Sequence, residues 1–136
     1  MRDIYTAGER TYQHLAELAS TVLDAGHSVI VDAAFLRQAQ RAPFIELART
    51  RGVRCFIIDC QAPESELRRR ITERQDKRQD ASEAGIEVLE NQLRNYQPLS
   101  ASEEGVEILV AGSDAAAMAE LVATLRARLR KAKQGV

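Results

Sequence analysis

From Ala7 to Ala25 the apolar positions Tyr12, Leu15, Leu18, Ala19, Val22 and Leu23 return at steps of three and four, the period of a helix with one buried face. Gly26 follows as a stop. Ser28 to Phe35 (SVIVDAAF) replaces that period with a continuous run rich in β-branched residues, which predicts a strand buried on both faces of a parallel sheet. Its single charge, Asp32, sits near the C-terminal end. A second helix is predicted over roughly Arg37 to Arg51, with Phe44, Leu47 and Ala48 inward and Gly52 closing it. Pro43 either kinks that helix or marks its true start.

Val53 to Cys60 (VRCFIIDC) repeats the pattern of the first strand, and Pro63 with Glu64 opens a third helix that turns Leu67 and Ile71 inward. Arg74 to Ala81 is polar with no apolar period and is expected to be a mobile excursion. Asp80 with Glu83 then reads as a capping box for a helix through Tyr96, with Ile86, Leu89 and Leu93 as its buried stripe. Pro98 to Gly105 is a loop and Val106 to Ala111 a third strand. Asp114 caps a last helix through about Lys133, in which Met118, Leu121, Val122, Leu125 and Leu129 face the core. Alternating strands and helices predict an α/β fold.

The 136 residues suit one domain spanning 1-136. Nineteen basic against 20 acidic side chains give a net charge of -1, so no overall field draws the chain to nucleic acid or membrane. No apolar run approaches the roughly 18 residues of a membrane span, and no signal segment opens the chain, so a soluble cytoplasmic protein is expected. Cys55 and Cys60 are an odd number of positions apart on one strand, which points them to opposite faces and rules out a disulfide within it. They read as core thiols of a reduced compartment. The basic RARLRKAK run fits the solvated last turns of a helix, where the dipole favours cations.

Asp32 is the most informative single residue. A carboxylate at the C-terminal end of a buried parallel strand opens onto the crevice where such sheets bind ligands, although the same residue also suits a turn or helix cap. In LRRRITER and the residues after it, Arg70, Arg74 and Arg78 recur every four positions along one helical side, an arrangement that can clamp phosphates. The plainer reading is a solvated face, because Glu64 with Arg68, Glu66 with Arg70 and Glu73 with Lys77 are acid-before-base pairs at i, i+4. Cys60 is followed six positions later by Glu66 and not by the arginine an oxyanion loop requires. His14 and His27 have no partners at zinc-ligand spacing and read as surface residues.

Taken in order, YTAGERTYQHLAELASTVLDAG leading into VIVDAAFL, then LRQAQR, FIIDCQAPESELRRRI and the lid-like ERQDKRQDASEAGIEVLENQ resemble P-loop kinases of the adenylate-kinase-like class. The likeness is greatest to the ATP-binding kinase-like domain fused to aminoglycoside-phosphotransferase-type domains in bacteria, and it covers nearly the whole chain. It implies a three-layer parallel sheet with flanking helices. Asp32 becomes the Walker B-like aspartate that holds magnesium through water, though Ala34 stands where the family has threonine. Leu67, Arg70, Ile71 and Arg74 match the LxxRxxxR start of a lid covering about residues 70-84. There Arg70, Arg74 and Arg78 reach ATP phosphates, and Asp32, Arg70 and Arg74 are the implied catalytic set. Arg37 and Arg41 fall where such kinases contact a small-molecule acceptor, a position an ordinary surface arginine also fills.

No GxxxxGK[ST] occurs anywhere in the chain. That loop supplies most phosphate binding through its backbone N–H groups and lysine. The resemblance places it, with its central strand, upstream of Met1. Two expectations follow: the C-terminal part of an ATP- and magnesium-dependent kinase that is inactive alone and completed by an upstream P-loop segment, or a degenerate kinase-like module with a binding or regulatory role. Without the central strand, the Asp32 strand and the Val53 strand are expected to pair directly or to leave a sheet edge open to self-association.

Overall fold

The computed structural model describes residues 3–78, 84–100, 103 and 105–133. They form five helices and two strands: α1 (Asp3–Asp24), α2 (Gln38–Thr50), β1 (Cys55–Cys60), α3 (Glu64–Arg78), α4 (Ala84–Asn95), β2 (Val106–Ala111) and α5 (Ala115–Lys133). The chain divides into two compact units. One holds residues 1–55 and 92–106, the other residues 56–91 and 107–136.

In the first unit α1 packs on α2. Ala19 is buried on α1, and Leu15, Val22 and Leu23 are half-buried, as the period predicts, whereas Leu18 is half exposed. α1 stops where Gly26 takes a φ of 81°, a left-handed value that costs glycine nothing. Arg51, which closes α2, donates to the Asp24 carboxylate at 2.8 Å and to the Ser20 hydroxyl, fastening the C-terminal end of one helix to that of the other.

The segment Ser28 to Phe35 is not a strand. Its residues form no regular element, the described sheet pairs β1 with β2, and Ile30 is 92 % exposed. A β-branched run becomes a strand only where a neighbour accepts its ladder hydrogen bonds and covers its side chains. SVIVDAAF has the composition for a buried strand and neither of those supports. The expected pairing of this segment with the Val53 strand therefore does not form.

In the second unit β1 pairs with β2. Gln61 N, just past the end of β1, donates to Ala111 O at the end of β2 at 2.9 Å, so the C-terminal ends coincide and the strands run parallel. Helices connect them, as parallel pairing requires. Ala111 is buried, and Ile58, Cys60, Ile108 and Val110 are exposed. Cys60 is accordingly a surface thiol. Cys55, at the junction of the units, is half-buried, and burial raises its pKa.

α3 runs on to Arg78, so the expected excursion from Arg74 is helical over its first five residues. The proposed capping pair Asp80 and Glu83 lies outside the described residues. Asp114 caps α5 as expected, its Oδ1 accepting from Ala117 N at 2.7 Å. Leu121 is buried and Leu125 half-buried, but Met118, Val122 and Leu129 are exposed, so the inward stripe of α5 is narrower than its apolar period. Gly112 lets α5 come close: a Cβ there would stand 2.9 Å from the Ala117 Cβ.

Candidate functional site

Asp32 lies in the first unit, in the irregular segment between α1 and α2, beside a bend at Ala33. It is exposed and makes no hydrogen bond or ion pair among the described residues. Three residues later Phe35 adopts a φ of 46°. This is the left-handed region, which costs a residue with a Cβ on the order of 1–2 kcal/mol.

Several contacts hold that turn. The Phe35 N–H donates to the Tyr12 hydroxyl at 3.0 Å. The Phe35 ring lies between Tyr12, with centroids 5.3 Å apart, and Phe44, at 5.1 Å and edge-on. Arg41 Nη1 donates to Phe35 O at 2.9 Å and to Gln97 O at 3.1 Å. The next peptide is tied as well, Gln97 N donating to Leu36 O at 2.7 Å.

Arg41 is 4 % exposed, and its Nε meets Glu103 Oε1 at 2.6 Å. Glu103 is 7 % exposed, and its Oε2 also accepts from Ser100 N at 3.0 Å. Burial pushes the Glu103 pKa up, but the hydrogen bonds from Arg41 and Ser100 N, with the Arg41 charge, bring it below the usual carboxylate value. A buried arginine is rare unless paired. Arg41 is paired to one carboxylate and to two backbone carbonyls at short range, so its donors are committed within the protein. Arg37, the other arginine of LRQAQR, is the half-buried N-cap of α2, and its N–H donates to Gln40 Oε1 at 3.1 Å.

The arginines that the resemblance assigns to a lid lie in the second unit, on α3. Arg70 is half-buried, with its Nε on Glu66 Oε1 at 2.7 Å. Glu66 also takes Arg69 Nε at 2.9 Å, and the bonds from Arg69 and then Arg70 lower its pKa to about 2. Arg69 reaches Glu73, and Arg68 bridges Glu64 at 2.7 Å and Glu90 at 3.4 Å. The expected pairs Glu64 with Arg68 and Glu66 with Arg70 therefore form. Arg74 is exposed and makes no such contact among the described residues, and Arg78 ends the helix. His14 and His27 are exposed, as expected.

Two residues of the turn escaped the sequence reading in this role: Tyr12, taken as a core ring, and Glu103, placed in a featureless loop. A signal for Arg41 was available. It lies three residues before Phe44 and seven before Ala48, on the buried stripe of α2, where an arginine needs a carboxylate.

A family model described as an AAA domain matches residues 2–99. The chain belongs to that family. The match supports a P-loop, kinase-like nature, and it spans Asp32, Arg70, Arg74 and Arg78 alike. No curated protein and no solved structure matches the chain.

This family implies nucleotide with a metal ion. Magnesium keeps several waters and takes one or two carboxylates beside the substrate phosphates, so the exposed Asp32 suits a water-mediated contact. No cluster of three metal-ligating side chains occurs among the described residues. A cavity of about 230 Å³ between β2 and α5 is lined by Leu109, Val110, Gly112, Leu121 and Glu120 among others, with no cation, and does not suit a triphosphate. Among the described residues, then, the one feature that suits the implied metal is the exposed Asp32 carboxylate, and the cavity beside α5 does not suit the phosphates. No described helix is long and apolar enough to cross a membrane.

Proposed function

We propose that this chain is the C-terminal part of an ATP-dependent small-molecule kinase, supplying the magnesium-side carboxylate and a basic lid, with the phosphate cradle coming from an upstream P-loop segment. The observation that carries the reading is the family match, because it runs through both Asp32 and the arginines of α3. The free Asp32 carboxylate supports it. When bound, magnesium would screen the phosphate oxygens; Asp32 would hold that ion through water, and Arg74, then Arg70 once released from Glu66, would neutralise charge on the transferring phosphoryl group. By the resemblance, Arg78 would join them at the nucleotide phosphates. Arg37 is the acceptor contact we retain of the two expected from the resemblance, because Arg41 is committed to Glu103.

A second reading, a degenerate kinase-like module that binds without catalysing, is favoured by one observation: Glu66 already holds both Arg69 and Arg70. Calorimetric titration with magnesium and ATP separates the two. This chain alone is expected to show no micromolar binding, and a longer product carrying an in-frame GxxxxGK[ST] is expected to bind and to lose at least ten-fold affinity or turnover in Asp32→Asn. Micromolar binding by the chain alone, or an upstream reading frame without the loop, overturns the proposal.

A further inference from the structure

We infer that Arg41, Tyr12 and Glu103 are positioning residues that fix the left-handed turn at Phe35 and thereby the course of the backbone that carries Asp32. The inference rests on the reading of Asp32 as the metal-side carboxylate, and it assigns Arg41 a task other than acceptor binding.

Phe35 has no local reason to adopt a φ of 46°, since neither its Cβ nor its ring favours that region. The contacts that hold it there come from three separate stretches of chain. Tyr12 on α1 takes its N–H at 3.0 Å, and Arg41 on α2 takes its carbonyl at 2.9 Å. The segment after α4 takes the following carbonyl through Gln97 N at 2.7 Å. Both polar groups of Phe35 are therefore bonded to side chains, which fixes the orientation of its peptide planes.

Arg41 is itself held. Glu103 fixes its Nε at 2.6 Å, and Ser100 N fixes Glu103 at 3.0 Å. The order of dependence runs from the 97–103 segment through Glu103 and Arg41 to Phe35, and from there over three residues to Asp32. Asp32 is exposed on an irregular segment and has no contact of its own among the described residues. The course of the backbone that carries it is set by the anchored turn that follows.

Amide hydrogen exchange and carboxyl chemical shifts, measured by NMR on the labelled full chain, test this without nucleotide. Tyr12→Phe removes one hydroxyl and keeps the ring. It is expected to speed exchange at the Phe35 amide at least ten-fold and to move the Asp32 carboxyl resonance, with the middle of α1 and α2 unchanged. Arg41→Lys keeps the charge but cannot hold Glu103 and the two carbonyls together, and is expected to move the same signals.

Adding Phe35→Gly to Tyr12→Phe supplies a residue that adopts the left-handed region without strain. It is expected to return the shifts of Asp32 and Ala33 toward their original values, although it deletes a packed ring. A general packing role predicts further loss there instead. An unchanged exchange rate at Phe35 in both single variants, or acceleration spread evenly through α1 and α2, overturns the inference. Asp32→Asn leaves every contact of the turn in place, so nucleotide binding in that variant judges the kinase reading, and exchange at Phe35 judges the positioning role.

Discussion

The turn after Asp32 and the arginine face of α3 both use guanidinium–carboxylate pairs, and the two uses have opposite consequences. At the turn one arginine is buried with one glutamate, and the pair is joined to backbone carbonyls. On α3 three arginines share glutamates along an exposed helix. Water screens the second arrangement and leaves each arm free to exchange partners at little cost. The first has no water to fall back on, so removing either partner strands the other. A fixed pair suits aiming a neighbouring group. An exchangeable set suits a surface that must let go of its own acids to take up a phosphate.

The largest difference is expected on cutting each network once. Arg41→Ala leaves Glu103 buried and charged beside two carbonyls that have lost their donor. We expect a loss on the order of 3 kcal/mol in urea unfolding. Glu103→Ala should cost a similar amount, and the double variant less than the sum, because the second change removes the charge the first one strands. Additive losses would mean that the two residues act independently, and the contrast with α3 would fail.

Acid should sharpen the comparison next. The folded pKa of Glu103 lies below its ordinary value of 4.5. Its contribution is therefore fully present above the unfolded value and is lost as pH falls through the folded one. Unfolding midpoints measured from pH 7 down to pH 3 should drop at the acid end in the native chain. In Glu103→Gln they should drop less over the same interval, since that side chain cannot take up the proton. A parallel decline in both would place the acid sensitivity elsewhere. Glu66, held down to about 2 by Arg69 and Arg70, should remain ionised through most of that range, so the α3 pairs persist over it.

How much of this could be read in advance depends on whether a feature is local. The helices of α1, α2 and α5, the strand of β2 and the cap at Asp114 follow from period and end residues within a few positions of one another. The acid-before-base pairs of α3 follow the same rule, and two of them form as spaced. SVIVDAAF was misread for a non-local reason: its composition suits a central strand, and strand formation depends on neighbours the run does not contain. The burial of Arg41 was hidden for the same kind of reason, its partner Glu103 lying 62 positions away. The family match then reached residues 2–99, but no residue pattern indicated that Phe35 would turn left-handed, because the hydrogen bonds responsible come from α1, α2 and the segment beyond α4.

The smallest effect is expected on α3, and its smallness is the informative result. Arg69→Ala removes a side chain that contacts Glu66 and Glu73, yet Arg70 remains on Glu66 at 2.7 Å and water reaches every one of these groups. We expect no resolvable change in the unfolding midpoint at 0.15 M salt, and none on raising the salt to 1 M, where the screening length falls to about 3 Å. The released share of Glu66 should pass to Arg70 and hold that arginine more firmly. In a P-loop-bearing product, Arg69→Ala would then weaken nucleotide binding without touching stability. A clear loss of stability would show that α3 is built like the Asp32 turn, with its arginines fixed in place and not available to a phosphate.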